Sequence, residues 1–251
     1  MTSLTLFDNG DHKSLLLENL EGGLSVQANQ HVIIHNGEGL ILDPGGHKVY
    51  NRVLTATLAA LRGGKLRYIF LSHQDPDIVA ALNGWLMTTD AVAYCSTLWT
   101  RFIPHFGLDR LVADRLIGVP DKGTVLDLSG CKLVILPAHF LHSCGNLHLY
   151  DPTSKILYSG DLGASIGTED REVQDFDAHL KYIEGFHKRY MACNKAMRDW
   201  ANMARKLDIE IIAPQHGALY RGKPMVERFI AWCEQLKCGS DLISSYEVPT
   251  E

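Results

Sequence analysis

The segment Ser72-His73-Gln74-Asp75-Pro76-Asp77 sets one imidazole and two carboxylates at alternating positions directly after the apolar run Tyr68 to Leu71. In an extended chain, alternation points such side chains the same way. Pro76 fixes its own φ and disfavours a helical Asp75, which keeps the segment extended. Imidazoles and carboxylates sharing a face are the donors that hold a divalent metal ion. Taken alone, the segment reads equally well as an acidic turn whose aspartates cap the next helix. Three further positions shift the balance. His142 follows the apolar run Leu133 to Leu136 and precedes Ser143-Cys144-Gly145-Asn146, Asp161 closes Ser159-Gly160-Asp161, and His216 sits in Pro214-Gln215-His216-Gly217. Each has glycine or another small turn residue close by, which lets the backbone approach a bound group. A single such histidine is ordinarily a satisfied polar residue at a strand end. Several strand ends sharing one donor chemistry make a metal centre the better reading.

The elements that must position these groups are legible as alternating runs. Val32 to His35 and Leu40 to Leu42 lead into Asp43-Pro44-Gly45-Gly46, Ile156 to Tyr158 leads to Asp161, and Ile209 to Ala213 leads to His216. All read as short strands ending in polar residues. Between them, Val49, Val53, Leu54, Leu58 and Leu61 share a helical face, as do Met197, Trp200, Ala204 and Leu207. Pro224 opens a last helix with Val226, Phe229, Ile230 and Cys233 inward. Strand ends gathering polar groups at one edge, with helices over the sheets, form a natural metal site. No repeat or Pro/Gly/Ser-rich linker divides the 251 residues, so one domain, 1–251, is expected.

The ordered set His73-x-Asp75-x-Asp77, His142, Asp161 and His216, with Leu42-Asp43-Pro44-Gly45 upstream, resembles the metallo-β-lactamase superfamily over nearly the whole chain. Within it, the chain is most similar to the di-iron domain of flavodiiron proteins and to stand-alone oxygen-binding di-iron proteins. Hydrolytic members carry His-x-His-x-Asp-His and bind zinc, whereas flavodiiron proteins carry a carboxylate at the second ligand position; Asp75 stands there in this chain. The resemblance implies an α+β fold, the αββα sandwich of the superfamily. It also implies two iron ions, ahead of zinc or manganese, with His73, Asp75 and His142 on one, Asp77 and His216 on the other, and Asp161 bridging. Three carboxylates and three imidazoles without a thiolate are a hard donor set that suits iron or manganese. Ile78 departs from the pattern, which has a further histidine ligand there; Ile78, Leu82 and Trp85 recur at helical spacing as a core face. Asp43 reads either as a carboxylate orienting the metal loops or as a simple Asp-Pro-Gly turn. Tyr190 falls in a stretch resembling the family's region near the metal pocket, where it could hydrogen-bond dioxygen. His105, His139 and His148 read as structural.

The functional expectation is a protein that binds or senses dioxygen, with nitric oxide as the other small ligand. The alternatives are an oxygen or nitric oxide reductase fed electrons in trans, which would make it an oxidoreductase, and a zinc hydrolase using metal-activated hydroxide. The 35 residues after His216 leave no room for a fused flavodoxin domain, and no glycine-rich phosphate loop appears, so no flavin is expected in the chain. A redox or signalling protein partner is implied, and a homodimer is left open. A net charge of −5 and a pI near 6.2 argue against nucleic acid as partner. No run approaches the roughly 20 apolar residues of a membrane span. The N-terminus lacks a signal-peptide pattern, and the six cysteines form no C-x-x-C pair, so a cytoplasmic protein with reduced thiols is expected.

Overall fold

The structure is a computed structural model that describes residues 3–17 and 27–250. Antiparallel strands β1 (Ser3–Asp8), β2 (His12–Leu17), β3 (Gln30–His35) and β4 (Glu38–Leu42) come first. Helix α1 (Tyr50–Leu61) crosses over to β5 (Lys65–Phe70), and the short helices α2 (Pro76–Val79) and α3 (Leu82–Thr88) lead to β6 (Val92–Ser96). An irregular stretch with 3-10 turns ends in β7 (Leu116–Val119). The second half contains β8 (Thr124–Leu128), β9 (Cys131–Pro137), β10 (Leu147–Asp151) and β11 (Ile156–Tyr158). Helices α4 (Phe176–Tyr190) and α5 (Asn194–Ala204), strands β12 (Ile211–Ala213) and β13 (Tyr220–Arg221), and helix α6 (Lys223–Gln235) complete it.

These strands form two sheets, ordered β1-β2-β3-β4-β5-β6-β7 and β13-β12-β11-β10-β9-β8. Three of the pairings that lead to the edge where the polar residues gather are parallel: β4 with β5, β5 with β6, and β11 with β12. Strand alternation sorts the apolar side chains into three layers. Ile33, Leu40, Leu42 and Phe70 of the first sheet meet Leu133, Ile135, Ile156 and Tyr158 of the second. On the outer face of the first sheet, Val32 and Ile41 pack with Val53 of α1 and Leu82 and Trp85 of α3. Beyond the second sheet, Leu157 and Ile212 pack with Ile183 of α4, Met197 and Trp200 of α5, and Phe229 of α6. Ile211, Ile212 and Ala213 show the rule in three residues, the middle one facing helices and its neighbours facing the other sheet. The result is the expected αββα sandwich, whose burial of a large aliphatic side chain is worth about 1.5–3 kcal/mol each.

The helical faces agree with the spacing in most positions. Val226, Phe229, Ile230 and Cys233 of α6 are all buried. Leu58 is the exception on α1, because it stands 44% exposed while Val53, Thr57 and Leu61 are buried. Helix α5 ends at Ala204, so Leu207 packs against the core from the following turn. Among the described residues, no helix is long and apolar enough to cross a membrane.

Candidate metal centre

Every residue of the expected set lies where a strand delivers it to one edge of the sandwich. Strand β5 ends at Phe70 and the chain turns to His73; β9 leads to His142, β11 to Asp161 and β12 to His216. Open sheets gather ligands beyond the carboxyl ends of parallel strands for the same reason, since the loops there converge. Asp75 occupies the N-cap position of α2 with extended backbone, and Pro76 follows at the first helical position. Its side chain makes no capping hydrogen bond, so the helix-capping reading of the acidic turn does not hold for Asp75.

The six side chains form two groups that share Asp161. Asp161 Oδ2 lies 3.7 Å from His73 Nε2 and 3.1 Å from His142 Nε2, and Asp75 Oδ2 lies 3.7 and 3.6 Å from the same two nitrogens. Asp161 Oδ1 faces the other way, 3.5 Å from His216 Nε2, and Asp77 Oδ2 is 3.3 Å from that nitrogen. Most of these separations exceed a good hydrogen bond, and the buried Asp161 Oδ1 has no hydrogen-bond partner. Two ligand atoms each about 2.1 Å from one shared ion stand about 3.0 to 3.4 Å apart. The 3.1 and 3.3 Å separations fall in that range and those of 3.5–3.7 Å stand a few tenths of an ångström outside it, so small side-chain shifts close both groups around an ion, and a two-ion centre fits the donor set.

A surrounding layer fixes the donors. Ser72 Oγ hydrogen-bonds His73 Nδ1 at 2.9 Å, and His216 Nδ1 lies 2.7 Å from the Gln27 carbonyl, so both rings present Nε2 inward. Gln74 Nε2 donates to Asp75 Oδ1 at 3.0 Å, while Ser143 Oγ donates to Gln74 Oε1 at 2.6 Å. Gln215 Nε2 reaches Asp77 Oδ2 at 3.4 Å. Asp43 is buried, takes a left-handed backbone conformation (φ 46°), and accepts the Ser72 N–H at 2.7 Å, which ties the β4 turn to the loop carrying His73. Sequence reasoning passed over Gln74, Gln215, Ser72 and Ser143; the available signal was adjacency to a ligand position.

Electrostatics bind the group together even without an ion. Burial disfavours charge on His216, but Asp77 and Asp161 outweigh it and push its pKa up to about 9. Burial also works against a charged His73, which Asp161 and Asp75 nevertheless raise. For Asp161 burial would raise the pKa, but His73, His142 and His216 hold it well below the usual carboxylate range. A cation entering the centre displaces those imidazole protons. Burial is what raises Asp43, to about 6, although the Ser72 N–H opposes it.

Over the centre opens a cleft of about 540 Å³ with Val49, Ala164, Ile166, Phe186 and Tyr190 on its walls. Tyr190 stacks on Phe186 at 4.6 Å between centroids and stands edge-on to His142 at 5.7 Å, placing it at the rim. Ile78 is fully buried in the apolar cluster beneath α1 and α3. Pro76, Asp77 and Ala80 line the cleft, which leaves Ile78 on the opposite side of the α2 turn. His148, His139 and His105 lie outside the centre: His148 Nδ1 accepts from Trp200 Nε1 at 3.1 Å, His139 Nε2 is 3.0 Å from the Asp121 carbonyl, and His105 lies in a 3-10 turn.

The sandwich and its imidazole–carboxylate cluster, whose two groups share Asp161, define a metallo-β-lactamase-like protein with a candidate two-ion centre. The family model described as "ODP family beta lactamase" matches residues 26–217, and the chain belongs to that family. It is 40% identical to a solved structure described as a peroxy diiron species of chemotaxis sensor ODP, over 96% of this chain and 98% of that one, with a TM-score of 0.86. It is 41% identical to the apo state of chemotaxis sensor ODP from T. denticola, over 96% and 97% of the two chains, with a TM-score of 0.84. The rubredoxin oxygen:oxidoreductase of Desulfovibrio gigas shares the fold at 13% identity and a TM-score of 0.77, this chain covering 93% of itself and 61% of that protein. A curated, uncharacterized protein of Methanocaldococcus jannaschii is 21% identical over 207 residues, 80% of this chain, and the chain spans about half the length of that relative.

Proposed function

We propose that this chain binds dioxygen at a di-iron centre and reports the bound state to a signalling partner. The observation that carries the reading is end-to-end similarity, 40% identity over 98% of the neighbour's length, to a chemotaxis sensor described as a diiron species. In this reading His73, Asp75 and His142 hold one ion, Asp77 and His216 hold the other, and Asp161 spans both. When bound, two ferrous ions supply the electrons that dioxygen draws on.

The protein's own groups do the rest. Gln74 and Gln215 restrain the half-exposed carboxylates Asp75 and Asp77, so that the donors need little reorganisation on binding. Phe186, Ile166 and Val49 give part of the cleft an apolar lining that admits a small uncharged gas, with His47 and Lys48 also on its walls. Tyr190 at the rim offers a hydroxyl donor toward a ligand over His142. A reductase role would require an electron donor to the centre.

The test is oxygen uptake by the iron-loaded chain. A sensor takes up about one dioxygen per centre and then stops, with or without NADH. Sustained consumption with NADH and an added reductase would favour the reductase reading instead.

A further inference from the structure

A second cluster of metal-binding side chains lies at the opposite edge of the sandwich. His12 begins β2 and pairs with His35 at the end of β3, while Cys131 begins β9 in the other sheet. One ligand atom from each of the three lies within 4.8 Å of the other two. His12 is fully buried, Cys131 is 6% exposed and His35 is half-buried. Strand β9 runs from Cys131 toward the loop of His142 and spans Cys131–Pro137, so its length separates the two clusters by about 20 Å.

Two features make this more than a chance meeting. His12 Nδ1 and His35 Nδ1 are buried nitrogens with no hydrogen-bond partner. The other ring nitrogen of His12, Nε2, is 2.7 Å from Asp151 Oδ2, and that carboxylate also accepts from Ser154 Oγ and, through Oδ1, from the Thr153 N–H at 3.0 Å. A carboxylate that engages one nitrogen of a histidine orients the ring and raises the basicity of the other, which is the support a metal-ligating histidine ordinarily has.

We propose that His12, His35 and Cys131 form a second, mononuclear cation site that takes zinc, with Asp151 orienting His12. One thiolate and two imidazoles are a softer donor set than the carboxylate-rich centre and match zinc's preference for nitrogen and sulfur. Ligand atoms around zinc stand about 3.4 to 3.8 Å apart, so side-chain shifts of about 1 Å close the cluster around an ion. Solvent completes the fourth position. Because His12 and His35 belong to one sheet and Cys131 and Asp151 to the other, the ion would clasp the two sheets at the end remote from the oxygen centre.

Cobalt(II) serves as the probe, since a thiolate ligand gives it a sulfur-to-metal charge-transfer band and the iron centre contains no thiolate. The iron-loaded full chain is titrated with cobalt anaerobically, beside Cys131→Ser, His35→Ala and Cys144→Ser. Cys144 is included because it is exposed and close to His142. The proposal expects a band saturating at one cobalt per chain, kept in Cys144→Ser, lost in Cys131→Ser and reached only at tenfold or more higher cobalt in His35→Ala. Zinc should abolish the band by competition. No thiolate band in the wild type, or one that survives Cys131→Ser or is unchanged in His35→Ala, overturns it. Should Cys131→Ser fail to fold, His35→Ala, at a half-buried strand end, decides the question alone.

Discussion

Replacing Asp161 with Asn separates the bridged centre from a mere cluster of ion pairs. Its Oδ2 faces His73 and His142 while Oδ1 faces His216, so Asn replaces the anionic donor common to both ion positions with a neutral amide whose single oxygen can serve at most one of them. Asn keeps the shape and the buried volume but loses the charge. Losing an outer partner of a ligand already weakens metal binding about 10–100-fold. Loss of the shared carboxylate should therefore cost the ion left without an oxygen at least about 100-fold, roughly 2.8 kcal/mol at 1.4 kcal/mol per tenfold, and the other ion less. Asp77→Asn touches only the His216 side, where Asp77 Oδ2 is 3.3 Å from Nε2, so the ion beside His73 and His142 should keep its affinity within about threefold, a change under 1 kcal/mol. The assay is anaerobic titration of metal-free protein with ferrous iron against a chelator of known affinity, with iron counted per chain. Circular dichroism and denaturation of the metal-free variants control for folding, because ligand loss also removes metal-linked stability. Equal loss of both ions from Asp77→Asn, or retention of both in Asp161→Asn, would refute the bridging role.

Two other outcomes follow from the packing. Ile78→His puts an imidazole into the apolar cluster with Leu82 and Trp85, so it should destabilise the protein by about 2–4 kcal/mol, read by denaturant unfolding, and leave iron stoichiometry unchanged; a gain in second-ion affinity would show that position 78 does face the centre. His31, His148 and His187 are buried, and burial lowers their pKa values to about 4, 3 and 4. With folded values below the unfolded 6.5, the unfolded chain binds more protons between them, so stability is retained above pH 6.5 and lost as pH falls toward 4 and 3. Each such mismatch is worth on the order of 3 kcal/mol at the acid end. Urea midpoints of metal-free protein across that range should fall steeply, and less so for His187→Gln; a flat profile would contradict this.

The candidate donors were legible in the sequence because each follows an apolar run, and runs such as Ile156 to Tyr158 coincide with strands that end at the edge where the six side chains meet. Pro76 made Asp75 legible as extended. What stayed hidden depends on tertiary neighbours. Gln74 and Gln215 look like ordinary polar residues until their amides are seen on Asp75 and Asp77. Leu58 fits the helical stripe by spacing, yet among the described residues its part of α1 is not covered enough to bury it. Helix α4 carried no flagged stripe, although it is held by the Asp175 cap to the Asp177 and Ala178 N–H groups and brings Phe186 and Tyr190 to the cleft. His12 and Cys131 are 119 residues apart in the chain, so only the packing of the two sheets brings them together.

Metal content joined to oxygen response tests the central claim most directly. Protein loaded anaerobically with ferrous iron in the presence of equimolar zinc should retain two iron ions at the His/carboxylate centre, at least one of which Asp161→Asn should lose, and admission of air should produce a new visible absorption without turnover. Zinc at that centre in place of iron, or two bound irons whose spectrum air leaves unchanged, would contradict the account.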